Sequence, residues 1–299
     1  MTQNIPLAVL LTLLASVVLA VAATVQHYAV GEQVDTGGAR QKLKGAELWA
    51  VVRSPRWLAG LMLTGVGAVL QMAALLLAPI TVVQPIGVLA VPWTILLATR
   101  IHRHPITPGI WVATALTVGG TVGFAVVAIN HAAPFPVLND SMLIVGTLVG
   151  FAVAGGFALL GARGPLQWRC FFWSSAGAVI YGAESGVVKA MGHYATTRAW
   201  LTSPTFWFLG LSIVAGAVLA GIWIQQGYAS GPAEIVVGSL NATGPVAGVA
   251  YGIAVLGEGV NITASAGLLM LAAAGIAIYG VVLLSRFHPT SQTTAAGAA

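Results

Sequence analysis

Nine stretches of roughly 20 apolar residues follow one another along this chain, joined by short polar connections, and that spacing leaves few folds open. They lie near residues 5–28, 57–78, 80–99, 107–129, 141–161, 168–194, 204–226, 232–256 and 263–284. A bilayer core about 30 Å thick takes one helix of that length. Every backbone polar group must be satisfied inside lipid, and the runs lack the two-residue alternation of barrel strands. The reading is all-α, a polytopic membrane protein of about nine transmembrane helices. Composition agrees: 58% of the 299 residues are hydrophobic and 6% are charged, against about a quarter charged in soluble domains. The lipid bilayer is thus the first partner.

The net charge of +5 forms no patch of the kind nucleic acid requires, and no nucleic-acid partner is expected. Arg40, Lys42, Lys44, Arg53, Arg56, Arg100, Arg103, Arg163, Arg169 and Arg286 fall on one side of an alternating topology. Lys189 and Arg198 fall on the other. The positive-inside rule then puts the amino terminus outside and the carboxyl terminus in the cytoplasm, across the cytoplasmic membrane. The run 5–28 lacks the charged start of a signal peptide, so the mature chain is expected to keep it. The connection Gly31 to Pro55 suits a short helix on the inner leaflet or a solvated loop. Trp57, Trp111, Trp168 and Trp200 stand near run ends, as an interfacial belt requires.

The chain also repeats itself. Gly67-Ala68-Val69-Leu70 returns as Gly216-Ala217-Val218-Leu219, offset by 149 residues; Pro92 returns as Pro245 at 153, and Gly119 as Gly275 at 156. The ordered offsets predict a single transmembrane domain over 1–285: repeat one at 5–129, a linking helix at 141–161 and repeat two at 168–285, with a disordered tail at 286–299. The single linking helix between the two four-helix units turns the second upside down relative to the first. Pro92 and Pro245 each sit mid-run, where a missing donor predicts an interrupted helix and exposes the carbonyls of Val88 and Asn241.

The stretches Leu70-Gln71-Met72-Ala73-Ala74-Leu75 and Ala78-Pro79-Ile80-Thr81-Val82-Val83-Gln84-Pro85, with the later Leu256-Gly257-Glu258, resemble the drug/metabolite transporter superfamily, including its EamA-like members. Each four-helix unit looks like a small multidrug resistance protein. Trp57-Leu58-Ala59-Gly60, and Ser174-Ser175 with Lys189, look like the NIPA-type magnesium-transporter branch. This resemblance implies two inverted units that rock around a midplane site.

Glu184, in Tyr181-Gly182-Ala183-Glu184-Ser185-Gly186, stands near the middle of the sixth run. An ionised group there costs roughly 2.5–3.5 kcal/mol on insertion scales and marks a functional site by default. It either faces a polar cavity as a proton or cation site, with Lys189 as counter-charge, or is protonated and bonded to a neighbouring helix. Gln71 and Gln84, with Asn241 and Thr243 before Pro245, supply uncharged polar groups for a cavity or serve as interhelical glue. Helices one, three, six and eight would line that cavity. Glu234 reads as a helix-start cap and Glu258 as a structural residue of an outer turn.

Cys170 stands alone, excluding an intramolecular disulfide and a paired-cysteine redox site. The six histidines, His27, His102, His104, His131, His193 and His288, lie at run ends or in loops. No HExxH, GxSxG or GxxxxGK[ST] occurs, so no enzyme, metal site, cofactor or ATP drive is expected. The expected function is secondary transport of a small solute, a metabolite or drug-like molecule, by alternating access with proton or cation coupling. The alternatives are magnesium or divalent-cation transport, which needs oxygen ligands that Glu184 alone supplies at depth, and a non-transporting scaffold for envelope assembly.

Overall fold

The computed structural model describes residues 4–34, 53–101, 108–131, 133, 138–197, 200–230 and 233–286. All regular structure among them is helical: α1 (Ile5–Val34), α2 (Pro55–Leu77), α3 (Ile80–Gly87), α4 (Ala90–Ile101), α5 (Pro108–His131), α6 (Asp140–Arg163), α7 (Arg169–Thr197), α8 (Pro204–Ser230), α9 (Ala233–Ala254) and α10 (Ala264–Arg286). Short 3-10 turns at Leu166–Trp168 and Trp200–Thr202 precede α7 and α8. The centre of the Gly31 to Pro55 connection and the tail from residue 287 lie outside the described residues, as does the side chain of Glu234.

Local chemistry sets the helix starts. Asn4 Oδ1 accepts from Leu7 N (3.1 Å), Ser54 Oγ from Trp57 N (3.2 Å), Asn139 Oδ1 from Met142 N (3.2 Å) and Thr263 Oγ1 from Ala266 N (3.2 Å). Each satisfies a donor that the first turn leaves without an intrahelical partner. Pro55, Pro108 and Pro204 begin α2, α5 and α8, where a missing N–H costs nothing.

Six of these helices, α1, α2, α5, α6, α8 and α10, are long and apolar enough to cross a membrane. They turn large apolar side chains outward, among them Met62 (76% exposed), Leu211 (70%) and Leu271 (71%). A protein in water avoids such a surface, and a bilayer covers it. This is a multi-pass helical membrane protein. The other three expected spans differ for a physical reason. The run 80–99 breaks into α3 and α4 at Val88–Leu89, while α7 and α9 carry the polar residues, tolerated because protein and not lipid surrounds them.

Packing places these three elements at the centre. Helix α1 lies on α2, α3 and α4; α7 lies on α6, α8 and α9; α9 also meets α3, and α5 packs along α10. Val82, Ile86, Phe124 and Met270 join α3, α5 and α10 in one buried cluster, and Leu143, Val187, Leu209 and Tyr251 join α6 to α9 in another. Gly120 lets α5 touch the α10 backbone: a β-carbon there would stand 2.5 Å from Ala277 N and 2.7 Å from Ala273 O. Gly280 does the same in return, against Thr117 N at 2.5 Å. Small residues of this kind set how closely membrane helices approach. Gly119 and Gly275, the pair matched by offset, face open space instead.

Gly120→Ala is therefore expected to destabilise the folded protein by about 1–3 kcal/mol, because backbone atoms cannot step aside. Gly119→Ala is expected to be neutral or mildly stabilising through helix propensity. Thermal unfolding of both variants in detergent checks the contrast.

Candidate functional site

Helix α7 distributes its side chains among four neighbours. Gly182 and Gly186 face α9, where added β-carbons would collide with Gly244 O and the Tyr251 ring. Gly150 of α6 stands 3.3 Å from the Ala183 methyl group, measured from its own added β-carbon. Glu184 reaches α8 and ends against Gly216, where a β-carbon would strike its Oε1. That oxygen is buried and accepts no hydrogen bond among the described residues. The glycine of the repeated tetrapeptide thus makes room for a carboxylate. Its counterpart Gly67 makes room for Leu19 of α1, whose side chain would stand 2.7 Å from an added β-carbon.

Lys189 does not serve as counter-charge to Glu184. Its Nζ donates to Glu258 Oε1 (2.7 Å) and to Ala78 O (2.8 Å). The expectation fails for a topological reason: one turn further along α7, the side chain points to the α2–α3 junction and not back along its own helix. Glu258 is fully buried and also accepts from Ile80 N (2.8 Å) and Thr81 N (3.0 Å). Pro79 precedes α3 and offers no side-chain cap, so the carboxylate arrives from the α9–α10 turn to satisfy the helix start. Gly257 adopts φ 73°, which ends α9 in the left-handed conformation, and Glu258 N donates to Gly252 O (3.0 Å). Glu258 O accepts from Ala133 N (2.9 Å). Nearby, Tyr194 OH (3.0 Å) and Thr205 Oγ1 (2.9 Å) both donate to Asp140 Oδ2, tying α6, α7 and α8. Polar contacts thus tie the helices together at this end of the bundle.

The remaining candidate residues divide between two places. Gln84 Nε2 donates to Ser185 Oγ, which donates to Gly182 O, so the amide joins α3 to α7 while lying against Gly248 of α9. Tyr181 is 45% exposed, one turn before Ser185 on the same helix. Thr243 and Ser175 pair their hydroxyls at 3.3 Å across α9 and α7. Gln71 lies beside Gly87, with Nε2 3.5 Å from the position of an added β-carbon. Asn241 lines a different space, a cavity of about 260 Å³ shared with Pro85, Val88, Thr121, Phe124 and Pro245.

The proline expectations hold in part. The run 80–99 is interrupted as expected, at Val88–Leu89, because Pro92 has no N–H for the Val88 carbonyl; Pro92 itself lies buried in the first turn of α4, where proline fits a helix. The Val88 carbonyl accepts from Val91 N (3.0 Å). Helix α9 runs unbroken through Pro245. The space beside Pro245 is almost wholly apolar, where a polar one was expected. Sequence reasoning missed Glu258 as the partner of Lys189, although Leu256-Gly257-Glu258 was in view; a buried pair 69 residues apart leaves no local signal. Among the described residues, no three of His, Cys, Asp and Glu gather to hold a metal.

Comparison with known proteins gives this arrangement a class. The family described as Magnesium transporter NIPA matches residues 3–150. The Probable magnesium transporter NIPA9 of Arabidopsis thaliana is 27% identical over 251 residues, covering 81% of this chain and 72% of the relative. An uncharacterized protein of Corynebacterium glutamicum is 25% identical over 289 residues, 95% of this chain and 96% of its own. No solved structure matches the chain significantly. Together with the apolar helices, these matches describe a multi-pass helical membrane protein whose first half is similar to a family described as magnesium transporters. More particularly, the similarity to the NIPA family runs over residues 3–150, and the Arabidopsis relative extends it across most of the chain.

Proposed function

We propose that the chain is a secondary transporter whose cargo is a small cation, magnesium foremost, admitted to Glu184. The observation that carries this reading is that the Glu184 carboxylate ends among α7 and α8 with one oxygen buried and unpartnered, while the nearest lysine along its helix is engaged elsewhere. The sequence-based objection to magnesium had two parts, a single carboxylate at depth and Lys189 opposing it, and the Lys189–Glu258 pair answers the second. The names of the matched family and of the Arabidopsis relative support the same cargo.

A three-ligand protein cage is not needed. Magnesium gives up its water reluctantly and is usually held by one or two carboxylates with several waters retained. Tyr181, one turn before Glu184 on the same helix, then offers its hydroxyl to those waters, and Glu184 supplies the charge. The Lys189–Glu258–α3 network would seal one end while the other admits the ion, as alternating access between two inverted units requires. The matched roles of Gly67 toward Leu19 and Gly216 toward Glu184 support a duplicated unit with the carboxylate in one copy only.

A second reading keeps Glu184 as a proton site coupled to a small uncharged solute. It is favoured by the neutral character of Gln84, Ser185, Ser175 and Thr243. Purified protein in liposomes enclosing a magnesium-sensitive dye separates the two. Magnesium entry down its gradient, reduced by competing divalent ions, is the expected result. Absence of magnesium entry alongside solute uptake driven by a pH gradient would transfer the function to the second reading.

A further inference from the structure

We propose that the cleft where α3 and α5 meet α9 and α10 is a binding site for an uncharged lipophilic molecule carrying one hydrogen-bond acceptor, taken from the bilayer. Three observations carry it. The cavity of about 260 Å³ has an almost entirely apolar lining, close to the roughly 300 Å³ lower bound of common small-molecule sites. Thr121, on its wall, is 1% exposed, and its Oγ1 makes no hydrogen bond among the described residues. Thr117, one turn earlier, donates to Ala113 O at 2.9 Å, which is the usual way such a hydroxyl is satisfied in a helix. Thr121 departs from that habit: its residue forms part of the wall of an almost wholly apolar space, and its hydroxyl lies buried just behind that wall.

The third observation is the route of entry. Val246 (51% exposed), Ile253 (36%) and Leu271 (71%) line the cavity and also lie on the outer surface of membrane-crossing or membrane-embedded helices. A cavity walled this way opens toward acyl chains, so its ligand is lipid-soluble. Thr121 stands mid-helix in α5, far from the level of phospholipid headgroups. A lipid tail fills the volume without answering the hydroxyl. A compact ketone, ester or ether of about a dozen heavy atoms answers both. Such a ligand wedges α3 and α5 against α9 and α10, the contact along which the halves of the chain meet.

Benzophenone is a suitable probe: an uncharged aromatic ketone that inserts into neighbouring C–H bonds on illumination. In purified protein reconstituted in liposomes, labelled positions are mapped by peptide mass spectrometry. Labelling is expected to concentrate on Val249, Ile253 and Ile278. Ala274→Phe, which fills the space, should abolish it. Thr121→Val should weaken it about two- to tenfold, the value of one hydrogen bond, and Thr121→Ser should retain it. With the unaltered protein, excess diphenylmethane, which keeps the shape and lacks the carbonyl, should compete correspondingly less well than excess 4-methylbenzophenone. This comparison needs no variant to fold. Labelling spread evenly over outward residues such as Leu148 and Val149, or equal competition by the two compounds, would reduce the site to ordinary lipid contact and overturn the proposal.

Discussion

Glu184→Gln is expected to cut magnesium entry about ten- to a hundredfold, the value of an interaction with a charged group at a site shielded from water. Glutamine keeps the length and shape of the side chain, and the carboxylate oxygen it replaces has no protein partner to lose. Folded yield and melting temperature should therefore stay at the wild-type value while flux falls. Glu184→Asp keeps the charge but withdraws it by one methylene from the hollow at Gly216, and an intermediate flux should result.

Two companion substitutions show whether the carboxylate acts as a cation site or merely fills space. Gly216→Ala forces the flexible end of Glu184 to move and should raise the magnesium concentration needed for half-maximal flux. Gly67→Ala makes the matching insertion against Leu19 in the first half, where no charge is present, and should affect stability without altering magnesium dependence. If both glycine variants shift stability and neither alters magnesium dependence, Glu184 is a packing residue and the cation reading falls. A flux assay over a magnesium titration, run beside thermal unfolding, reads both quantities.

What the amino-acid sequence revealed of this protein follows the range of the forces involved. Apolar runs and capping residues act within a few turns, so the helices at 57–78, 107–129, 141–161 and 204–226 appear near their expected places. Proline was a guide in one half of the chain and not in the other: the run carrying Pro92 is interrupted and the helix carrying Pro245 is not. Pro92 falls in a first turn, where it fits, and Pro245 is absorbed within α9. Glu184 was legible as an isolated carboxylate at depth. Its hollow at Gly216, and the partner that takes Lys189 away from it, depend on helices brought together by tertiary packing. Glu258 looked like a turn residue because nothing nearby in sequence shows that Gly257 folds the turn inward onto the start of α3.

That inward fold leads to the second large effect. Removing one member of a buried ion pair costs about 3–5 kcal/mol, since the other charge is left in a poorly solvating interior. The two members of this pair should not be equivalent. In Lys189→Met, Glu258 retains the N–H groups of Ile80 and Thr81 and the positive end of α3, so its charge remains partly compensated. In Glu258→Gln, the Lys189 ammonium loses its counter-charge and keeps only neutral acceptors, and the amide accepts at one atom where two accepted before, so Thr81 N or Ile80 N loses its partner. Glu258→Gln should therefore be the more damaging single change, with a larger fall in melting temperature. The double variant should lose less than the sum of the two, because no unpaired charge is left behind. Lys189→Met, where it folds, should leave magnesium dependence at Glu184 unchanged, since the two side chains belong to separate networks. Melting temperatures of the two single variants and the double variant in detergent test the order. Equal losses that simply add would show that the pair is uncoupled and that the α3 start is held by something else.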